Sequence, residues 1–205
     1  QESFQTALEE ANKVNADIIL STDPDADRIG IMVRHNEKWQ FINGNEIGII
    51  LTQYGILQRK EKGTLNLNST VIKTEVTNSL IEKIAHKNNV RCIGNLLVGF
   101  KYIGNIMNQL EQEGKMDDFI LGTEESHGFL IGNYARDKDA AGAAIWLAEL
   151  AAVLKKQDKT LIDYLNEIYV EYGYCHNYLT EIRLTGVQGM DQIAKIMQTL
   201  RTEPI

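Results

Sequence analysis

Short apolar runs alternate with helical patterns over the middle of the chain, and this alternation constrains the fold more than any other feature. The apolar runs of strand length are 70–74, 90–94 and 118–121. The segments between them, 77–88 and 101–113, have the periodicity of amphipathic helices. Strands that alternate with helices form parallel sheets covered by those helices. We therefore predict an α/β fold with mixed, largely parallel sheets, whose ligands bind beyond the carboxyl ends of the strands.

Patterns on either side of this region predict further elements. The polar segment 58–69 lacks periodicity and is predicted to be a linker. The additional predicted helices are 2–15, a helix that follows the turn 43–45 and ends near Gly55, 137–156, 161–169 and 190–200. The additional predicted strands are 17–21, 29–34, 39–42 and an extended segment 174–184.

An acidic loop, D-P-D-A-D-R, separates the first two predicted strands. Its carboxylates, Asp23, Asp25 and Asp27, lie two residues apart and repel one another, a conflict that a bound cation relieves. The candidate ligands are hard oxygen donors with no Cys or His nearby, which favours Mg²⁺ or a similar ion over zinc. Arg28 adds a planar fork suited to a phosphate oxygen.

Two alternatives exist for this acidic loop. One is a solvated acidic turn, because Asp and Pro are both favoured in turns. The other is a calcium-binding EF-hand, which requires Gly at the sixth position of the loop and Glu at the twelfth. Those positions hold Arg28 and Arg34, so the EF-hand is excluded.

A second polar loop, G-T-E-E-S-H-G, follows the apolar run 119–121. Glu124 and Ser126 offer hydrogen-bonding groups suited to a polyhydroxylated ligand such as a sugar. The alternative is a surface turn in which Ser126 caps a helix. His127 has an ordinary pKa near neutrality, but without an identifiable partner it is better assigned to packing or hydrogen bonding than to catalysis.

Two basic loops precede predicted helices. Gly99 and Lys101 stand where backbone N–H groups and a cation could meet an anion. Arg136 and Lys138 stand before the helix at 137–156, where Lys138 could lie over a phosphate or protonate a leaving oxygen. The alternative for both loops is ordinary charge at a helix start.

Composition excludes several classes of function. The formal charge of −7 disfavours nonspecific binding to nucleic acid. No apolar run approaches the roughly 20 residues of a membrane span, and no signal peptide opens the chain. The two cysteines, Cys92 and Cys175, are expected to be reduced thiols, with a disulfide as the alternative. We expect a cytoplasmic protein and, since Gln1 is not Met, a piece of a longer polypeptide.

Taken together, four loops in register resemble the alpha-D-phosphohexomutase superfamily of phosphoglucomutases and phosphomannomutases. They are D-P-D-A-D-R at 23–28, G-F-K-Y-I-G at 99–104, E-E-S-H-G at 124–128 and R-D-K-D at 136–139. The phosphoglucomutase and phosphopentomutase branch is the most similar, and the resemblance spans essentially all 205 residues.

This resemblance implies two consecutive α/β/α domains, the first of them partial, out of four that surround a cleft. The later part of domain two, with the metal loop, would be 1–57. A linker at 58–69 would lead to domain three, with the sugar-recognition loop, at 70–175. Residues 176–205 would be a connector and the start of domain four. The implied partners are small sugar phosphates and domains one and four of the same polypeptide, with no nucleic acid and no membrane.

The resemblance also implies roles for individual residues. Mg²⁺ would be bound by Asp23, Asp25 and Asp27, and would bridge a phosphoserine. The implied catalytic residues are Arg28 and Lys138. The implied substrate-binding residues are Gly99, Lys101, Glu124, Ser126, His127 and Arg136.

The reaction implied is a phosphoryl shift between hexose 1-phosphate and hexose 6-phosphate, with the hexose 1,6-bisphosphate as intermediate and activator. Glucose is the favoured sugar, and a phosphomannomutase, a phosphopentomutase or a noncatalytic phosphosugar-binding regulator are the alternatives. The sequence departs from the family at Val98, where Thr is usual, and at His127, where Tyr or Phe is usual. It holds no phosphoserine loop of the T-A-S-H-N type, so the chain alone is expected to be inactive.

Overall fold

Two β-sheets organise the part of the chain that the structure, a computed structural model, describes, namely residues 4–178 and 180–203. The first sheet is antiparallel, in the order β1 (Ile18–Thr22), β2 (Ile29–His35), β3 (Lys38–Ile42). The second has the order β5 (Arg91–Leu96), β4 (Thr70–Thr74), β6 (Phe119–Thr123), β7 (Phe129–Ile131). Strands β5, β4 and β6 are parallel, and β7 is antiparallel to β6. The predicted mixed α/β class with a largely parallel sheet is confirmed.

Local chain chemistry explains why the first sheet is antiparallel. Asn36 and Glu37 connect β2 to β3, and both have positive φ, 50° and 62°. Two left-handed residues in a two-residue connection match the twist of antiparallel strands, and Asn adopts that conformation readily. The six-residue acidic loop likewise returns the chain antiparallel, from β1 to β2.

Seven helices lie within the described residues. They are α1 (Gln5–Lys13), α2 (Gly44–Glu61), α3 (Leu80–Lys87), α4 (Phe100–Gln112), α5 (Ala140–Lys155), α6 (Leu161–Tyr172) and α7 (Gly186–Thr202), with a 3₁₀ turn at Met116–Asp118. All except α2 were predicted within a few residues at both ends. None of them combines the length and the apolar composition that a membrane crossing requires. Residues 2–3 of the first predicted helix, residue 179 of the predicted extended segment 174–184 and residues 204–205 of the predicted connector lie outside the described ranges.

Two sequence predictions about elements were wrong. Helix α2 does not end near Gly55 but continues to Glu61, into the segment predicted as a linker. Gly55 is buried, and a Cβ there would crowd the ring of Trp146, so this glycine serves close packing. The predicted strand at 174–184 is also not observed in its described residues. The rings of Tyr174 and His176 stack on each other, and the Cys175 carbonyl accepts a hydrogen bond from Asn78.

One large apolar core joins the two sheets. Helix α2 is buried along most of its length, and its Ile47 and Ile50 are fully buried in this core with Ile31 of β2 and Val71 of β4. On the opposite face of the second sheet, α4 covers a smaller cluster that includes Phe119. Because the sheets share one core, the β1–β2 loop and the polar ends of β4 and β6 are held in fixed relative positions.

Candidate functional site

The acidic loop between β1 and β2 is organised by Asp23. Its Oδ1 accepts hydrogen bonds from the main-chain N–H groups of Asp27 at 3.2 Å and Arg28 at 3.0 Å. Ala26 takes a left-handed conformation, with φ of 56°, so that the chain can turn around this carboxylate. Hydrogen bonding from the Arg28 main chain, above all, lowers the pKa of Asp23 to about 2.

The three acids of this loop converge. Asp23, Asp25 and Asp27 each offer one carboxylate oxygen, and these oxygens lie within 4.8 Å of one another. Asp27 Oδ1 is buried and has no hydrogen-bond partner among the described residues, although Arg28 Nε lies 3.5 Å from it as an ion-pair contact. A buried oxygen without a partner is costly unless a cation or a donor reaches it. The donor set therefore fits a hard divalent cation such as Mg²⁺.

Two cationic side chains neutralise part of this acidic cluster. Arg28 Nε lies 2.8 Å from Asp23 Oδ2, and Lys138 Nζ lies 3.0 Å from Asp27 Oδ2. Burial alone would lower the pKa of Lys138, but Asp27 and Asp137 outweigh it and raise that pKa above its ordinary value. Lys138 is therefore an ammonium at neutral pH, held between the β1–β2 loop and the start of α5.

The β6–β7 loop carries the two glutamates, which point to different partners. The buried Glu124 accepts a hydrogen bond at Oε1 from the Gly99 N–H, at 3.0 Å. Burial, opposed by nearby Lys138, raises the pKa of Glu124 above its ordinary value. Glu125 Oε2 instead faces the hydroxyls of Thr74 and Thr77, at 3.1 Å and 3.3 Å. Of the two acids, Glu124 is the one held beside Lys138.

His127 fastens the β6–β7 loop to the acidic loop. Its carbonyl accepts a hydrogen bond from the Ile29 N–H at 3.1 Å, and its ring Nδ1 lies 2.9 Å from the Ile29 carbonyl. The neighbouring Gly128 pairs with Arg28 in an isolated antiparallel β-bridge. Burial, as the main cause, lowers the pKa of His127. The ring therefore hydrogen-bonds the β6–β7 loop to β2, and it also lines the pockets beside both loops. Its role in substrate binding stays a prediction.

The start of α5 completes the junction of the loops. The Ala140 N–H donates to the Ala26 carbonyl at 3.1 Å, and the Asp139 N–H donates to the Phe129 carbonyl at 2.7 Å. Asp139 also caps α5, because its carboxylate accepts from the N–H groups of Ala141 and Gly142. Lys138 therefore projects from a rigid backbone.

The remaining predicted site residues divide into two groups. Gly99 and Ser126 lie at the site: Gly99, with φ of 126°, is the N-cap residue just before α4, and Ser126 is exposed on the loop. Lys101 Nζ lies 5.0 Å from the Tyr102 ring centroid. Arg136 points elsewhere, because its guanidinium binds Asn108 at 2.9 Å and Glu111 at 2.8 Å, both on α4. Its role in substrate binding stays a prediction.

Two pockets flank this junction and share His127. One, of about 470 Å³, is lined by Asp23, Arg28, Ser126 and other residues of the two loops. The other, of about 420 Å³, lies between the start of α2 and the segment after α6, and Glu125 contributes to it.

Sequence reasoning missed a supporting network beneath Glu125. Lys73 is only 4% exposed, and its Nζ donates to the carbonyls of Thr74 at 3.2 Å and Thr77 at 3.1 Å. This holds the turn whose two hydroxyls face Glu125. The available signal was K-T-E-V-T at the carboxyl end of an apolar run, where polar side chains gather at the ligand edge of a sheet.

The fold and the site define a class of protein, an α/β/α domain that presents an acidic loop and a glutamate loop side by side at one edge. A family model described as phosphoglucomutase/phosphomannomutase, alpha/beta/alpha domain III, matches residues 43–172. A phosphoglucomutase of Staphylococcus aureus strain N315 is 37% identical over 203 residues, which cover 98% of this chain and 35% of that protein. The chain belongs to the phosphoglucomutase/phosphomannomutase family.

Solved structures share the fold. A protein from Thermus thermophilus described as a phosphomannomutase superposes with a TM-score of 0.63 at 22% identity, over 84% of this chain and 35% of that one. An N-acetylphosphoglucosamine mutase of Aspergillus fumigatus, solved with GlcNAc-6P and magnesium, gives a TM-score of 0.51 at 17% identity, over 73% of this chain and 32% of that one. The chain spans about a third of the length of the curated relatives it matches.

Proposed function

We propose that this chain supplies the metal loop and the sugar-recognition loop of a Mg²⁺-dependent phosphosugar mutase. The enzyme would interconvert hexose 1-phosphate and hexose 6-phosphate through a hexose bisphosphate, with glucose as the favoured sugar. One observation carries the proposal: three carboxylate oxygens within 4.8 Å of one another lie on a loop hydrogen-bonded to the loop of Glu124 and Ser126. The 37% identity to a phosphoglucomutase supports it.

The residues divide the work by their chemistry. Asp23, Asp25 and Asp27 would hold Mg²⁺, which when bound neutralises charge on a transferring phosphoryl group. Arg28, whose side chain is 54% exposed, is available to a phosphate oxygen next to that ion.

The sugar side of the site follows the same logic. Glu124 and Ser126 would accept and donate hydrogen bonds to sugar hydroxyls, and Gly99 lets the main chain approach them. Lys138, as an ammonium, can give a proton to an oxygen that leaves phosphorus, and it stabilises negative charge there. The packed helix start behind Lys138 keeps it oriented without reorganisation.

We also propose that the chain contains parts of two domains of such an enzyme. Helix α2 packs against α3, α5, α6 and β6, and the family model begins at residue 43. These facts favour a boundary at the start of α2, with 1–42 in the preceding domain, in place of the boundary after residue 57 that the resemblance implied. Residues beyond α6 would lead toward the following one.

Metal binding tests the site directly. Mg²⁺ should raise the melting temperature of the chain, and Asp25→Asn should abolish the rise, because it removes one ligand charge. Asp191→Asn, on the exposed side of α7, makes the same charge change elsewhere and should keep the rise. If Asp25→Asn responds to Mg²⁺ as the unmodified chain does, the acids of the loop are not the ligands.

Substrate preference requires the longer protein that the proposal implies. The complete polypeptide should convert glucose 1-phosphate more efficiently than mannose 1-phosphate or a pentose 1-phosphate. A preference for another sugar would correct the substrate. Binding of these compounds without any turnover would instead favour a phosphosugar-binding regulator.

A further inference from the structure

Lys138 crosses from the start of α5 to the acidic loop and forms an ion pair there. Its side chain is only 18% exposed, and its Nζ lies 3.0 Å from Asp27 Oδ2. Its second ion-pair partner, Asp137 at 3.4 Å, is 75% exposed, so solvent screens that pair. The Phe100 ring centroid lies 5.8 Å from the same Nζ. The well-shielded partner of this ammonium is therefore Asp27.

The carboxylate of Asp27 has two different oxygens. Oδ2 carries the ion pair with Lys138, whereas Oδ1 is buried without a hydrogen-bond partner among the described residues and has only a longer ion-pair contact, 3.5 Å from Arg28 Nε. Asp27 also belongs to the cluster of three acids that fits a divalent ion. Two cations thus address one carboxylate, and like charges a few ångströms apart repel strongly in a partly shielded site.

Gly128 makes this arrangement possible. A Cβ on Gly128 would overlap Cδ of Lys138 and lie 3.0 Å from its Cγ. The lysine stem thus occupies the space that a side chain at position 128 would fill. The same Cβ would lie 3.2 Å from Glu124 Oε2, so the stem passes alongside the buried glutamate.

We propose that Lys138 is, beside Arg28, a resident cation of the acidic loop, and that a divalent ion binds there against its charge. The inference rests on the proposed metal site. When the ion neutralises Asp27, the ion pair with Lys138 weakens and its ammonium becomes available to an oxygen of the substrate beside Glu124. Lys138 therefore lowers the metal affinity of the loop, and Gly128 keeps it in the position from which it does so.

This role of Lys138 can be tested by measuring the metal affinity of the chain itself, without an assay of turnover. Mn²⁺ and Mg²⁺ are titrated calorimetrically into the unmodified chain and into variants. Lys138→Met should bind the metal ion at least about fivefold more tightly than the unmodified chain. This factor is smaller than the one expected from Coulomb repulsion between a divalent and a monovalent cation a few ångströms apart, even in water. Lys138→Arg keeps the charge and should stay close to the unmodified chain.

Gly128→Ala provides an independent arm because it changes no charge. The added methyl group would meet Cγ and Cδ of the Lys138 stem, so we expect the stem to shift and carry Nζ away from Asp27. Metal affinity should therefore rise in the same direction as in Lys138→Met. Lys115→Met removes a lysine from an exposed pair with Glu113 and should leave the affinity unchanged, which controls for net charge.

The outcomes separate this inference from the proposed function. If the unmodified chain binds the metal ion and Lys138→Met binds it equally well or more weakly, the role of Lys138 is overturned and the metal site stands. If titration with the metal ion gives the same heat signal for the unmodified chain and for Asp25→Asn, the metal site is overturned, and this inference with it. Should Lys138→Met fail to fold, Gly128→Ala decides: tighter binding supports the proposal, and unchanged or weaker binding overturns it.

Discussion

His127 and Ile29 are joined by two hydrogen bonds, one in each direction. The Ile29 N–H donates to the His127 carbonyl at 3.1 Å, and His127 Nδ1 donates to the Ile29 carbonyl at 2.9 Å. Since a carbonyl only accepts, the proton of the ring must be on Nδ1. His127 also has a left-handed backbone, with φ of 70°. One residue of the glutamate loop is thus locked to the strand that follows Arg28.

Replacement of His127 by Phe should lower the free energy of unfolding by about 1–2 kcal/mol, the usual cost of a lost hydrogen bond at a half-buried carbonyl. The new ring can keep the packing against Phe41, whose centroid lies 5.8 Å away, so the loss reports the hydrogen bond. Denaturant unfolding measures the change. His176→Phe, on the exposed segment after α6, should change stability by less than about 0.5 kcal/mol. Equal stability of His127→Phe and the unmodified chain would contradict the fastening role.

Gly44→Ala should destabilise the chain although alanine is the better helix former. Helix propensity alone favours alanine by up to about 1 kcal/mol. At Gly44, however, a Cβ would collide with the Glu125 carbonyl and lie 2.8 Å from the His127 N–H nitrogen, and these are backbone atoms that cannot move cheaply. We expect a net loss of about 1–3 kcal/mol, measured by thermal or denaturant unfolding.

Lys60→Ala, on the exposed side of the same helix, serves as the control for Gly44→Ala. It should leave stability nearly unchanged. A stabilised Gly44→Ala variant would show that the glutamate loop does not press on the start of α2.

Asp139→Ala should weaken α5 and alter the acid stability of the chain. Although burial opposes it, hydrogen bonds from Tyr134 and from the Ala141 and Gly142 N–H groups lower the pKa of Asp139 below its usual 3.8. A carboxyl whose pKa is lower in the folded state stabilises the fold above its unfolded pKa, and this contribution is lost as pH falls through the folded pKa. Loss of the helix cap should cost about 1 kcal/mol at neutral pH.

The pH dependence of unfolding distinguishes this cap from a merely packed residue. The stability difference between the unmodified chain and Asp139→Ala should shrink as the pH falls below about 4. Asp191→Ala is the control, because Asp191 is exposed on α7. A difference that stays constant down to a pH of about 2 would exclude a contribution from the ionised carboxylate.

If the complete polypeptide is the mutase proposed above, Lys138→Ala should lower its turnover by at least roughly 100-fold, the low end for groups that move protons. The effect should fall mainly on kcat, because the ammonium acts on charge that develops during phosphoryl transfer. Steady-state kinetics with glucose 1-phosphate measure it, and Lys115→Ala is the matched control on an exposed pair. Turnover near that of the unmodified enzyme would remove Lys138 from the mechanism.

Much of the fold was predictable because its signals are local. Apolar runs and helical periods located β4, β5 and β6 and the helices between them to within a few residues. The failures occurred where packing overrides local signals. Gly55 resembles a helix end in sequence, but its missing side chain makes room for Trp146. The three-residue β7 is too short for any periodicity.

The sequence by itself determined which chemical groups the site contains: three spaced carboxylates, two glutamates and the basic residues at helix starts, in the order typical of one family. It also determined the α/β class, since hydrophobic periodicity depends only on neighbours along the chain. Only the tertiary structure decided how these groups pair. It separated Glu124 from Glu125, directed Arg136 to α4 and set Lys138 on Asp27. Those pairings depend on distances between segments far apart in the chain, which are fixed by packing around the shared core.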